Sequence, residues 1–295
     1  MNEPEPKFLM MASMYTAQHP AKSVFVPIRG LNYHLLEWGQ PQPDQPTLFM
    51  VHGWMDVADS FQFMVDALGR PRHILAPDWR GYGLTQVKTD NFWFPDYLAD
   101  LDALLDHFAG AQAVDLLGHS MGGNVAMMYA GVRPERIRRL INLEGFGMGP
   151  TRPAQAPKRY TQWLDELRQF HRGEMGLKPY ASADAVAERL RKNNPRLDAD
   201  KAAAWRAVPG RLEKLRTRIA STAFPDDAVR AEGAGLDLHV VQIAGCDPHW
   251  MGEAARLAEA QGLAILEACA KPMELDTLAA LLERAAAVIP GNLGK

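Results

Sequence analysis

The sequence predicts an α/β fold: a mostly parallel, doubly wound sheet interrupted by a helical insertion. Three observations lead to it. Short β-rich runs alternate with helical patterns between residues 22 and 143. Several of those runs are apolar almost without a break, as strands covered on both faces are. The alternation stops after Gly145, gives way to charged helical sequence, and returns from Leu236.

In chain order, strands are expected at 23–28 and 31–38, joined by Arg29-Gly30 as a hairpin that makes the sheet mixed. Further strands are expected at 47–52, 73–77, 114–117 and 137–143. Helices near 57–69, 95–109 and 121–132 provide the crossovers that parallel strands require. A Pro- and Gly-rich passage at 147–157 opens the insertion. Its helical sequence runs to about Arg218, broken by Asn193-Asn194-Pro195 and Pro209-Gly210. The sheet pattern resumes with strands at 238–243 and 263–267 and helices at about 250–261 and 274–288. The expected organisation is a flexible lead-in at 1–20, a core formed by 21–148 and 231–295, and a helical cap at 149–230.

A chain of 295 residues, 47% hydrophobic and 23% charged, has enough apolar material for one large core plus an insertion. Lysine and arginine number 32 against 35 acidic residues, a net charge of −3. That balance creates no field that would favour nucleic acid or an anionic membrane as partner, and a small-molecule substrate is expected instead. Two cysteines, Cys246 and Cys269, are too few to build a disulfide framework and suit a reducing, cytoplasmic setting in which they are idle thiols. Glu3 and Glu5 precede the short apolar run 8–14, unlike the basic start of a secretory leader. No uncharged apolar run approaches the roughly 18 residues of a membrane span.

The run Val114-Asp-Leu-Leu-Gly-His-Ser-Met-Gly-Gly123 places Ser120 between a buried strand and a helix, with Gly118, Gly122 and Gly123 around it. A strand that turns sharply into a helix strains its turn residue and leaves no room for neighbouring side chains, so the surrounding residues must be small. Such a turn presents a serine oxygen at a helix N-terminus. The second element is His52-Gly53-Trp54-Met55, at the end of the third strand. Acyl transfer needs two backbone N–H groups aimed at the developing oxyanion, and Trp54 and Met121 are positioned to supply them. His52 itself reads either as a substrate contact or as a hydrogen-bonded strand end.

Together, His52-Gly53-Trp54, Ala76-Pro77-Asp78-Trp79-Arg80-Gly81-Tyr82-Gly83 and Gly118-His119-Ser120-Met121-Gly122-Gly123 resemble the α/β-hydrolase superfamily over about residues 22–148. The first two motifs look most like the branch that holds epoxide hydrolases and haloalkane dehalogenases. Those enzymes use an aspartate nucleophile. With Ser120 in its place, the resemblance implies an esterase, amidase, lactonase or carbon–carbon bond hydrolase.

The resemblance offers two positions for the acid of a catalytic triad: Glu144, in Asn142-Leu-Glu-Gly-Phe146, and Asp247, in Ala244-Gly-Cys-Asp-Pro248. Either could orient a histidine and stabilise its imidazolium. The family's histidine follows the last strand in a Gly-His loop, but here that stretch reads Ala268-Cys-Ala-Lys-Pro-Met-Glu274 and contains none. Three readings stay open: His249 acts as base from the neighbouring strand end, Lys271 does so as the neutral amine, or the base has been lost.

Phe146 and Trp163 are expected, with His52, to line an apolar substrate pocket between sheet and cap. Arg80 is expected to tie down its loop by hydrogen bonds. The sequence has no paired histidines at helical spacing, no CxxC and no phosphate-cradling loop, so neither metal nor cofactor is implied. A serine hydrolase of small apolar esters is the leading expectation. A carbon–carbon hydrolase, favoured by a carboxylate-binding Arg152 or Arg159, and a non-catalytic ligand-binding protein are the alternatives.

Overall fold

The computed structural model describes residues 15–68, 72–85, 92–145, 152–174, 182–193, 197, 199–206, 239–244, 264–270 and 280. Eight strands form one sheet: β1 (Lys22–Ile28), β2 (Leu31–Trp38), β3 (Leu48–Val51), β4 (Ile74–Pro77), β5 (Val114–His119), β6 (Ile137–Leu143), β7 (His239–Ala244) and β8 (Ala264–Ala270). Their spatial order is β1-β2-β4-β3-β5-β6-β7-β8. β1 and β2 form the expected antiparallel hairpin, and β2 lies antiparallel to β4. Every pair from β4 to β8 is parallel. At the hairpin turn both Arg29 (φ 45°) and Gly30 (φ 75°) are left-handed, the twist that suits a two-residue connection.

The strand pattern explains the layers. β3 and β4 are buried at every position, whereas the edge strand β1 buries only Val26 and Ile28. Alternate residues feed two cores, one on each face of the sheet. Leu35, Phe49, Val51, Leu75 and Leu116 point to one face. Leu36, Leu48, Met50, Ile74 and Leu117 point to the other.

Three helices cover these faces. α1 (Gln62–Ala67) follows a 3-10 turn at Ala58–Phe61, so the single helix expected near 57–69 is a turn plus a shorter helix. Phe61 and Val65 seal the second face. α2 (Phe94–Ala109) buries Tyr97, Asp100, Leu101, Leu104 and Leu105, a three-and-four spacing that marks one helical stripe. It starts with Pro95 in its first turn and Asp96 accepting the Trp93 N–H at 3.0 Å. α3 (Met121–Val132) runs on from β5 and buries Val125, Ala126 and Tyr129 against the first core.

Between β6 and β7 in the sequence lie α4 (Ala156–His171), α5 (Ala183–Asn193) and α6 (Ala199–Arg206). α4 buries no residue fully. Its Trp163 meets Trp93, at the start of α2, with ring centroids 5.3 Å apart. The helix expected near 250–261 and, apart from residue 280, the one near 274–288 lie outside the described residues. No helix among the described residues is long and apolar enough to cross a membrane.

Candidate active site

Ser120 stands alone between the last residue of β5 and the first of α3. Its backbone, at φ 52° and ψ −114°, is a conformation that non-glycine residues rarely adopt. Two hydrogen bonds hold it there: its N–H donates to the Leu143 carbonyl at 2.7 Å, and its carbonyl accepts the Asn124 N–H at 3.0 Å. Close packing removes the alternatives, since a methyl group on Gly122 would lie 2.3 Å from the Val51 carbonyl oxygen. The helix is thus pressed onto the end of β3, and only glycine fits at that contact.

The turn after β3 comes equally near. A methyl group on Gly53 would lie 3.1 Å from Ser120 Cβ and 3.1 Å from His119 Nδ1. Trp54, the next residue, is largely exposed, and Met55 is left-handed at φ 57°. The Gly53-Trp54 segment and the start of α3 therefore flank Ser120 on two sides.

His52 is fully buried, which corrects the expectation that it meets substrate. Its Nε2 accepts the Trp79 N–H at 3.0 Å, which places the ring proton on Nδ1, 2.8 Å from the Gly53 carbonyl. The His52 carbonyl in turn accepts the Trp79 indole N–H at 3.0 Å. His52 thereby locks the turn after β3 to the loop after β4.

That second loop is held from below. Asp78, buried, accepts the Ala58 N–H and the Leu84 N–H, each at 2.9 Å, and faces His34 Nδ1 at 2.8 Å. Arg80 behaves as expected: its Nε and Nη2 grip both oxygens of Asp100 at 2.6 Å, and its N–H donates to the Tyr33 hydroxyl. Tyr82 within this loop and Tyr33 and Tyr97 packed near it are buried, and burial pushes all three phenols well above their ordinary range, so they stay neutral.

Glu144 follows β6 immediately and is left-handed at φ 61°. Its carboxylate lies 3.4 Å from His119 Nε2, and both side chains are partly exposed. Two participants, His119 and Asn142, are not among the residues singled out from sequence. His119 lies inside the serine motif, immediately before Ser120. Asn142 is buried in β6 and bridges the turn that carries Glu144. The signal for Asn142 is a polar residue among the apolar positions at the C-terminal end of β6, after Arg138 and Arg139.

The structure brings Ser120, Trp54, Met121 and Glu144 to one end of the sheet. Trp163 packs against Trp93. Phe146, Asp247, His249 and Lys271 lie outside the described residues, as does Cys246. Among the described residues no group of three or more His, Cys, Asp or Glu side chains is placed to hold a metal ion.

A parallel sheet with a strained serine between its central strand and the next helix defines a class, and comparison with known proteins agrees. The profile of the alpha/beta hydrolase fold family matches residues 46–258, and the chain belongs to that family. It is 30% identical over 164 residues to a serine hydrolase-like protein of Danio rerio, covering 54% of this chain and 49% of that one. It is 32% identical over 139 residues to a cis-3-alkyl-4-alkyloxetan-2-one decarboxylase of Shewanella oneidensis, covering 45% and 42%. The chain spans about half the length of the curated relatives it matches. Among solved structures, the thioesterase domain from the curacin biosynthetic pathway superposes with a TM-score of 0.72. At 20% identity, over 91% of this chain and 100% of that one, the likeness is one of fold.

Proposed function

We propose that the protein is a serine hydrolase of small, mostly apolar esters or related carbonyl compounds, with Ser120 as nucleophile. The observation that carries this reading is the backbone of Ser120 itself. A left-handed serine braced by two hydrogen bonds and a glycine contact is strain of the kind that concentrates at reactive positions. In this reading Ser120 Oγ attacks the carbonyl carbon while the backbone N–H groups of Trp54 and Met121 receive the oxyanion. The leaving alcohol departs, and water then releases the acid.

Glu144 is favoured over Asp247 as the acid because its carboxylate stands beside the serine turn, facing an imidazole. In this reading the helices between β6 and β7 act as a cap over a small-molecule pocket; the Trp93–Trp163 contact, which joins α4 to the start of α2, supports it. The near-neutral charge suits such a substrate better than nucleic acid or membrane, and two cysteines suit the cytoplasm.

A fluorophosphonate probe, which reacts with activated serines whatever their natural substrate, tests the proposal. Labelling of the wild-type chain that disappears in Ser120→Ala is the expected result. A folded wild-type protein that does not label favours a ligand-binding protein without turnover.

One observation supports a second reading, hydrolysis of a carbon–carbon bond in an acidic substrate. Arg159 Nη1 is shielded from solvent without a hydrogen-bond partner among the described residues, which suits a guanidinium kept for a carboxylate. Arg152, by contrast, is exposed at the start of the insertion. Preference for acidic over neutral substrates that vanishes in Arg159→Ala would favour this reading.

A further inference from the structure

We propose that His119, the residue immediately before the nucleophile, is the general base of this site, with Glu144 orienting it from the opposite ring nitrogen. The proposal rests on Ser120 being the nucleophile, and it gives the family's missing C-terminal histidine a substitute from within the serine turn.

Neighbouring residues on a strand point to opposite faces, but Ser120 has left the strand through its left-handed φ. His119 Nδ1 and Ser120 Cβ are consequently on the same side, each 3.1 Å from where a Gly53 methyl group would be. They are therefore no more than twice that distance apart; the proton transfer requires them to close to hydrogen-bond distance, or to span one water, when substrate binds. The other nitrogen, Nε2, faces the Glu144 carboxylate at 3.4 Å. Such contacts are often long before substrate binds and tighten in the reacting complex. An imidazole with a carboxylate at one nitrogen and a serine near the other has the functional order of a triad, although the two nitrogens exchange their usual places. The His119 side chain is 37% exposed and that of Glu144 24%, so the pair is open to a substrate.

The proton balance closes. Ser120 Oγ bonds to the carbonyl carbon as its proton passes to His119 Nδ1, and Glu144 stabilises the imidazolium at Nε2–H. His119 then gives the proton to the departing alkoxide as the ester C–O bond breaks. In the second half, water attacks the acyl group and gives its proton to His119. His119 returns a proton to Ser120 Oγ as the acid leaves.

The test is the rate of fluorophosphonate labelling, measured in protein whose folding is checked by circular dichroism. His119→Ala and His119→Gln are expected to slow labelling by about 10²–10⁴-fold, the usual contribution of a positioned base. Added imidazole is expected to restore labelling to His119→Ala but not to Ser120→Ala, a rescue that a merely structural histidine would not show. Glu144→Gln is expected to slow labelling in the same direction. If folded His119→Gln labels at the wild-type rate, or if His249→Ala abolishes labelling while His119→Ala retains it, the base lies elsewhere and the nucleophile reading survives alone. If the wild-type chain does not label, both readings fail together.

Discussion

Asn142 closes the turn after β6 with both ends of its side-chain amide: its Oδ1 accepts the Gly145 N–H at 2.8 Å and its Nδ2 donates to the Gly145 carbonyl at 2.5 Å. The closed turn holds Glu144 in its left-handed conformation, facing His119. Asn142→Ala leaves two buried backbone groups unpaired and is expected to cost about 1–3 kcal/mol of stability. Asn142→Asp keeps the bond to the Gly145 N–H but sets a carboxylate against the Gly145 carbonyl. Urea unfolding of both variants checks the expectation, and a midpoint unchanged in Asn142→Ala would mean that the turn closes without the amide.

Asp100 is the second buried anchor. Its carboxylate accepts two bonds from Arg80, one from Arg29 at 2.8 Å and one from the Tyr33 hydroxyl at 3.1 Å. Asp100→Ala leaves the largely enclosed Arg80 guanidinium with only its longer, 3.5 Å ion pair to Asp96, so a loss somewhat below the roughly 3–5 kcal/mol of a fully unpaired buried charge is expected. Arg80→Lys should also destabilise, because an ammonium cannot make the paired grip on both oxygens. Thermal unfolding reads both, and an Arg80→Lys variant as stable as wild type would show that the forked geometry contributes little.

Asp96 links stability to pH. Burial pushes its carboxyl group up, but the Trp93 N–H together with Arg29 and Arg80 outweighs burial and holds it below the ordinary carboxylate range. A folded value below the unfolded one means that the stabilisation is fully present above the unfolded value, near pH 4, and is lost as pH falls through the folded one. Asp96→Asn should be less stable than wild type at pH 7, and the gap should narrow below about pH 4. Urea unfolding at pH 7, 4 and 3 measures it; a gap independent of pH would assign the loss to helix capping alone.

How much of this was legible in sequence depended on whether a signal was local. All eight strands declare themselves as β-rich runs, several of them apolar almost without a break, and their observed bounds fall within a few residues of the pattern, as for 31–38 and 137–143. Gly30 marked the hairpin, since glycine accepts a left-handed position without steric cost, whereas Arg29 takes one with no such preference. The serine turn was equally plain, since the contact between Gly122 and Val51 excludes any side chain. For His52 the sequence left two readings open, because whether a strand-end histidine faces a ligand or a backbone N–H depends on the loop that folds over it. Here that loop is carried by Trp79, which lies 27 positions away. For His119 strand alternation predicts a side chain directed away from Ser120, and only the left-handed serine brings the two to the same side. Asn142 bonds to a residue three positions on, but nothing local distinguishes a turn-closing amide from any other polar residue in a strand.

Gly53 offers a direct probe of the space beside Ser120, the proposed nucleophile. An alanine methyl group there would meet Ser120 Cβ and His119 Nδ1 at 3.1 Å and the His119 carbonyl at 3.3 Å, so its neighbours must shift by a few tenths of an ångström. Gly53 is not left-handed, so Gly53→Ala carries crowding rather than backbone strain and is expected to fold with a loss at the low end of the roughly 1–3 kcal/mol typical of overpacking. Reactivity is far more sensitive, because small displacements of reacting groups cost about 10²-fold in rate. The expected outcome is a variant whose unfolding midpoint stays near that of wild type while its fluorophosphonate labelling slows by about that factor. Should Gly53→Ala label as fast as wild type, the gap between Ser120 and His119 would carry no part of the reaction, and the proton would have to leave Ser120 by another route.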